Sequence, residues 1–192
     1  FSVGDHLFID VLNGSWLTNP TNDGCGVYTN ATDNSRCFAA QHLITGKSGN
    51  VLTMDPPVVN PPEFLNTPQA VKSNARVSLA GVEDMTIRND SNLTTQVWGN
   101  NNIAMQATSQ SWVKNVKIER CGHYCIQAFI DNFKPEIRDS WVSQCITRVT
   151  SDRCYGIHLN GTSFGLVENN IFESTADATV IGNAVGNVMA YN

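Results

Sequence analysis

Charge is scarce in this chain, and positive charge is scarcer. Asp, Glu, Lys and Arg together make up 15% of the 192 residues, and 12 basic against 17 acidic side chains leave a formal net charge of −5. A protein that grips a phosphate backbone usually carries a basic face, so this balance argues against nucleic acid as a partner. Long apolar runs are missing too. Nothing approaches the roughly 20 consecutive apolar residues of a membrane-spanning helix, so no span is expected. No Cys-x-x-Cys pair occurs among the six cysteines at 25, 37, 121, 125, 145 and 154, which weakens a zinc-ribbon or thioredoxin-type reading. A secretory leader is also lacking. The chain opens on Phe1 with "FSVGDHLFID", which alternates like a strand from its first residue, so either a leader has been removed or the biological start lies upstream.

Asparagine, threonine, serine and glycine carry much of the polarity instead, a composition that suits strands and turns better than solvated helices. An even cysteine count in an Asn/Thr-rich, lysine-poor chain favours an oxidising, extracytoplasmic compartment, and hence a secreted protein. The sequons at Asn13, Asn30, Asn89, Asn92 and Asn160 are compatible with a glycoprotein. Residues 1–70 read as an irregular, β-rich segment. Within it Cys25 and Cys37 bracket a polar, turn-rich stretch, and a bond between them would contribute roughly 3 kcal/mol through loop closure. Residues 55–68 hold five of the seven prolines and read as an extended linker or packed loop.

From about residue 71 the chain repeats. The pattern apolar-x-(Asn/Asp)-x-x-apolar occurs at Val82–Ile87, Val113–Ile118, Ile137–Val142 and Val167–Phe172, and it begins again at Met189. A second short strand precedes each later motif: "NIAMQ" at 102–106, "CIQAF" at 125–129, "GIHLN" at 156–160 and "TVIGN" at 179–183. Such spacing is too short for βαβ modules, and no helical pattern lies between the strands. It predicts the coils of a β-solenoid, with each strand pairing in parallel with its equivalent one coil on, about 4.8 Å away. Val82, Val113, Ile137 and Val167 should form one inward column. Ile103, Met105, Ile126, Ala128, Ile157 and Leu159 should point inward as well, with Gln127 and His158 on the other face. Asn115, Asp139 and Asn169 should mark a repeated turn whose side chains satisfy local backbone groups.

Here the sequence resembles a known group. "GVEDMTIRN", "SWVKNVKIERC" and "GLVENNIFES…GNVMAYN" look like coils of the pectate-lyase-like right-handed parallel β-helix superfamily. "FSVGDHLFID" and "NVLTMDPPVV" look like the irregular segment that often precedes them. The resemblance implies an all-β fold, residues 71–192 being parallel β-helix coils continuous with the N-terminal segment. Because Asn192 stops inside a turn motif, the chain reads as an incomplete part of a longer solenoid; the alternative is a terminus covered by a partner. Self-association or further chain segments would then cover the open end.

For activity the resemblance transfers no residue. The Trp-x-Asp-His and Arg-x-Pro-x-x-Arg segments of pectate lyases are absent, as are the Gly-His-Gly and Arg-x-Lys motifs of polygalacturonases; "CGHYC" around His123 matches the former only superficially. The outward column Glu83, Lys114, Arg138, Glu168 is expected to be a surface charge ladder that fixes register. Its functional alternative is a groove for polysaccharide or cell-surface glycan. A lyase could use Arg138 or a lysine as base there, with carboxylates or Ca²⁺ neutralising a uronate. A hydrolase could use two carboxylates on adjacent coils, drawn from Asp131, Glu136, Asp152 and Glu168. His158, beside the long turn 143–155 that carries Asp152 and Arg153, is a further catalytic candidate. Trp98, Trp112 and Trp141 could stack on sugar rings, although a half-buried aromatic at a coil corner is the simpler reading. Two functions therefore compete: a secreted polysaccharide lyase or glycoside hydrolase, and a non-enzymatic structural or adhesive surface protein.

Cys121 and Cys145 occupy equivalent positions on successive coils, and Cys125 and Cys154 both lie just before the next inward strand. Coil spacing falls within the Cα range a disulfide accepts, which favours Cys121–Cys145 and Cys125–Cys154 as staples between coils. The rival is local pairing, Cys121–Cys125 and Cys145–Cys154, because side chains in register on parallel strands point the same way.

Overall fold

A computed structural model of the chain describes residues 1–13, 36, 38–58, 67–73, 76–90, 100–145, 154–182 and 184–192. It divides into two compact units, Phe1–Ala75 and Arg76–Asn192. Every regular element among the described residues is a strand.

In the first unit, β1 (His6–Val11), β2 (Phe38–Ser48), β3 (Val51–Asp55) and β4 (Gln69–Lys72) form an antiparallel sheet in the order β3-β2-β1-β4. The alternation read in the opening decapeptide becomes strand at His6, where Leu7, Phe8 and Val11 are buried with Ala39, Ala40 and Ile44. Asp10 is fully buried and held by two donors, Arg36 Nη1 at 2.7 Å and Gln69 Nε2 at 3.0 Å. A buried carboxylate requires such partners. β4 crosses residue 70, the boundary expected from the onset of the repeat, and pairs with β1, so it belongs with this unit. Residues 59–66 of the proline-rich stretch lie outside the described residues.

The second unit contains β5 (Val77–Ser78), β6 (Gly81–Arg88), β7 (Ile103–Met105), β8 (Thr108–Ser109), β9 (Trp112–Cys121), β10 (Tyr124–Phe133), β11 (Glu136–Arg138) and β12 (Trp141–Cys145). β13 (Tyr155–Ser163), β14 (Leu166–Glu168), β15 (Ile171–Glu173), β16 (Asp177–Gly182) and β17 (Val188–Ala190) follow. All pairings among the described residues of this unit are parallel. One sheet joins β7, β10, β13 and β16, with β5 and β8 at one corner; the other joins β6 and β9 to β11 and β12, then β14 and β15, then β17. The chain visits the two sheets alternately, and each strand pairs with its counterpart one repeat later.

The register follows the sequence motif residue by residue. Val82, Val113, Ile137, Val167 and Met189 are successive partners, and so are Ile87, Ile118, Val142 and Phe172. Ile103, Ile126 and Ile157 form a column on the facing sheet, with Met105, Ala128 and Leu159 beside it. The central members of these columns make one buried apolar cluster, against which the partly buried Val82, Ile87, Phe172 and Met189 pack. Burying Ile157 or Leu159 completely contributes roughly 1.5–3 kcal/mol each.

The corners repeat as strictly as the columns. Asp84, Asn115, Asp139, Asn169 and Tyr191 all have φ between 50° and 57°, and Leu79, Gln110, Lys134 and Phe164 form a second such set. The left-handed region bends the strand sharply, and Asn and Asp enter it more readily than other L-residues. At the first corner the expected turn is present, but its side chains bond each other rather than the local backbone: Asn115 Nδ2 donates to Asp84 Oδ1 at 2.7 Å, and Asn169 Nδ2 to Asp139 Oδ1 at 2.6 Å. The next position along builds a polar ladder, buried at Ser140 and Asn170 and ending on the exposed Asn192. Ser140 Oγ accepts from Val116 N, Asn170 Oδ1 accepts from Ser140 N at 3.1 Å, and Asn192 Oδ1 accepts from Asn170 N at 3.0 Å. Asn170 Nδ2 also donates to the Ile137 carbonyl at 3.1 Å. The ladder thus satisfies backbone groups that the tight corner removes from the sheet.

Candidate functional site

The corner and the alternation together place two kinds of side chain on the outer face of β6, β9 and β12. The left-handed residues Asp84, Asn115 and Asp139 fan outward. Thr86, Lys117, Trp141 and Ile171 follow as register partners on the face away from the core. Between these columns lies an open groove of about 420 Å³, lined by Asp84, Met85, Asn115, Lys117, Asp139 and Trp141, among others. Trp141 is 41% exposed, unusual for so large an apolar ring, and Met85 is 48% exposed. Lys117 Nζ lies 4.7 Å from the Trp141 ring centroid, a cation–π distance, and 2.6 Å from Glu119 Oε1. The Lys117 hydrogen bond is the largest influence holding the Glu119 carboxyl below the usual carboxylate range, with Arg88 adding to it against partial desolvation. The ion pairs continue from Glu119 through Arg88 and Asp90 to Arg120.

Of the catalytic candidates among the described residues, Arg138 and Glu168 do not come together with His158. Arg138 and Glu168 are register neighbours on β11 and β14, and the charge ladder Glu83, Lys114, Arg138, Glu168 is present in that order. Glu83 is exposed and the other three are half-buried. Arg138 Nε sits 2.9 Å from Glu136 Oε1 and 3.9 Å from Asp139 Oδ2. Arg138→Ala is therefore expected to lower stability by less than about 1 kcal/mol in urea denaturation, as partly exposed ion pairs usually do. His158 lies in the other sheet, on β13. It is buried, stacked on Tyr124 at 4.3 Å, with Nδ1 3.2 Å from Gln127 Nε2. Burial, and secondarily the charge of His123, lowers its pKa to about 4. His123 and Tyr155 complete this aromatic cluster. Asp131 is engaged by Arg76 Nη2 at 2.8 Å, with both side chains largely buried. Asp152, Trp98, Cys25, Cys37, Asn30 and Asn92 lie outside the described residues. Asn13, Asn89 and Asn160 are half-buried, and Thr162 of the last sequon is fully buried with Oγ1 donating to the Ala128 carbonyl. Trp112 is half-buried at a corner. It packs over Gly81, where a Cβ would land inside the indole, and Nε1 donates to Glu83.

The cysteines correct one expectation. Cys121 and Cys145 are register partners, as their spacing requires, but the disulfides are Cys121–Cys125 and Cys145–Cys154. Register partners on parallel strands lie side by side, and their Sγ atoms stay 3.8 Å apart. The tight corner between β9 and β10 instead returns Cys125 to a Cα distance of 5.0 Å from Cys121, and Cys154 comes within 5.5 Å of Cys145. These sulfurs are the only group of three or more potential metal-ligand side chains that gathers among the described residues. The carboxylates of the groove form no such group.

Sequence reasoning found Trp141 but not its groove partners. The signal for Lys117 was its position two residues past the corner, in register with Trp141. The signal for the Ser140–Asn170–Asn192 ladder was the residue immediately after each corner. No family model, curated protein or solved structure matches the chain.

Proposed function

We propose that residues 76–192 are coils of a right-handed parallel β-helix of the pectate-lyase-like kind, and that the protein is an extracellular carbohydrate-binding protein without a catalytic centre in these coils. One observation carries the functional reading: the exposed indole of Trp141 lies in an open groove beside two carboxylates, an amide and an ammonium group. A sugar ring presents an apolar face that stacks on an aromatic ring, and hydroxyls that bond carboxylates and amides. The groove runs across successive strands about 4.8 Å apart, so an extended polysaccharide lying along it meets Asp84, Asn115 and Asp139 in turn. Asp84 and Asp139 outnumber Lys117, which is already paired with Glu119, so the groove favours a neutral chain over a uronate-containing one. The candidate acids and bases are divided between two sheets or held in ion pairs, which favours binding over lysis or hydrolysis. The disulfides and the low positive charge fit an oxidising compartment without nucleic acid.

The test is isothermal titration of the purified chain against soluble neutral and uronate-containing polysaccharides. Trp141→Ala is expected to weaken binding about tenfold or more, equivalent to ~1.4 kcal/mol. Uronate-containing ligands should bind more weakly than neutral ones, because the groove already carries Asp84 and Asp139. Absence of binding across the panel, or full binding by the Trp141 variant, would refute the functional reading. A crystal structure with left-handed winding would refute the β-helix assignment.

A further inference from the structure

The buried cysteine cluster has a geometry beyond its two disulfides. Cys121, Cys125 and Cys154 are fully buried and Cys145 is half-buried, and their four Sγ atoms all lie within 4.8 Å of one another. The cluster draws on successive repeats: Cys121 ends β9, Cys125 lies in β10, Cys145 ends β12 and Cys154 precedes β13. Across the two disulfides, Cys121 Sγ is 3.8 Å from Cys145 Sγ and 3.9 Å from Cys154 Sγ. A tetrahedral zinc–thiolate centre with Zn–S bonds of about 2.3 Å has edges of about 3.8 Å between sulfurs. Two of the six edges therefore already have this length across the bonded pairs. The two edges from Cys125 to Cys145 and Cys154 are at most 4.8 Å, and each bonded pair must separate by side-chain rotation.

We propose that, once its disulfides are reduced, this cluster is a tetrathiolate site for one soft divalent cation, zinc or cobalt. The same four side chains would thereby close loops within single repeats when oxidised, and link neighbouring repeats only when reduced and metal-bound. In the oxidised state two covalent bonds hold the cluster. In the reduced state a single ion bridges the repeat carrying Cys121 and Cys125 to the one carrying Cys145 and Cys154. With a phosphine as reductant, each disulfide consumes one phosphine and one water; the phosphine gains oxygen, the S–S bond breaks and two thiols form. Binding of the cation then converts four thiols to thiolates and releases four protons, so affinity should rise with pH. Borderline-soft thiolate donors select zinc over calcium or magnesium.

The test uses the whole chain, reduced anaerobically with a phosphine and titrated with Co²⁺ and then Zn²⁺. One cobalt per chain is expected, with the intense red-region absorption of a tetrahedral thiolate centre, bleached by one equivalent of zinc. Cys154→Ser should weaken cobalt binding by roughly a hundredfold or more, since one of four ligands is lost. The double variant Cys25→Ser/Cys37→Ser should bind as the parent does. Circular dichroism covers the case in which reduction or substitution unfolds the chain. Recovery of strand signal on adding zinc to the reduced parent supports the site, because binding is then coupled to folding. A reduced parent, folded or unfolded, that takes up no cobalt overturns the proposal. So does an unchanged cobalt spectrum in Cys154→Ser, or its loss in the Cys25/Cys37 variant.

Discussion

Asn170→Ala is expected to destabilise the second unit by roughly 3 kcal/mol. The side chain is buried, its Oδ1 accepts from Ser140 N, and its Nδ2 donates to the Ile137 carbonyl and to Asn192 Oδ1. Removing the amide leaves a backbone donor and a backbone acceptor in a place water does not reach, at about 1–3 kcal/mol for each orphaned group. The neighbouring substitution Asn169→Gly is the matched comparison. It removes a carboxamide bonded to Asp139 on the surface while keeping a residue suited to φ near 54°. Its effect should stay within about 1 kcal/mol. Urea denaturation with a common slope separates the two. Equal losses would mean that the buried ladder contributes no more than the exposed one.

Acid should weaken the fold in a defined window. The His158 imidazole takes its proton near pH 4 in the folded chain, because burial disfavours the charged form, against 6.5 for a free side chain. Between those values the unfolded chain binds more protons than the folded one. The stabilisation is therefore complete above pH 6.5 and is lost as pH falls toward 4. Its size is on the order of 2–3 kcal/mol once residual solvent access is allowed for. His42, in the first unit, shifts the same way for the same reason, partly opposed by its hydrogen bond to the Pro56 carbonyl. The depressed carboxyls of Asp5, Asp90 and Glu119 act lower, since their contribution is lost only as pH falls through their own folded values. His158→Gln preserves a polar group beside Gln127 and removes the titration. Its stability should change less between pH 6.5 and 4 than the parent's, by about one proton's worth of slope. Parallel pH curves for parent and variant would show that the ring is protonated in the folded chain.

Much of this architecture was legible because repetition turns spacing into contact. Val82, Val113, Ile137 and Val167 could be aligned from sequence, and alignment predicted register, inward direction and the corner at Asn115, Asp139 and Asn169. The cysteines show where that inference stops. Equivalent positions fix Cα proximity, but the bond depends on side-chain direction, and the corner at Cys121 favours its near neighbour in sequence. The buried amide ladder was hidden for a related reason. Its column reads Met85 and Val116 before it turns polar at Ser140, so no single motif position announced it. In the groove, Lys117 and Trp141 meet only through register. The catalytic candidates were chosen by residue type, and nothing in their types revealed that His158 and Arg138 belong to different sheets.

The parallel pairing of the second unit has a kinetic consequence. Among the described residues its partners lie 22 to 31 residues apart, as in Val167 with Met189 and Val82 with Val113, and none is joined by a tight hairpin. The first pair of repeats must close such a loop and also hold several L-residues in the left-handed region before any neighbour stabilises them, at about 1–2 kcal/mol for each ordinary residue so placed. Later repeats dock on an edge that already exists, so only their own ordering remains. Folding should thus begin slowly and rarely, then run quickly from repeat to repeat, as a zipper closes once its slider is engaged. A peptide carrying one repeat alone would stay unfolded, while its sequence, set against an ordered edge, would find its register from the alternation of its own side chains.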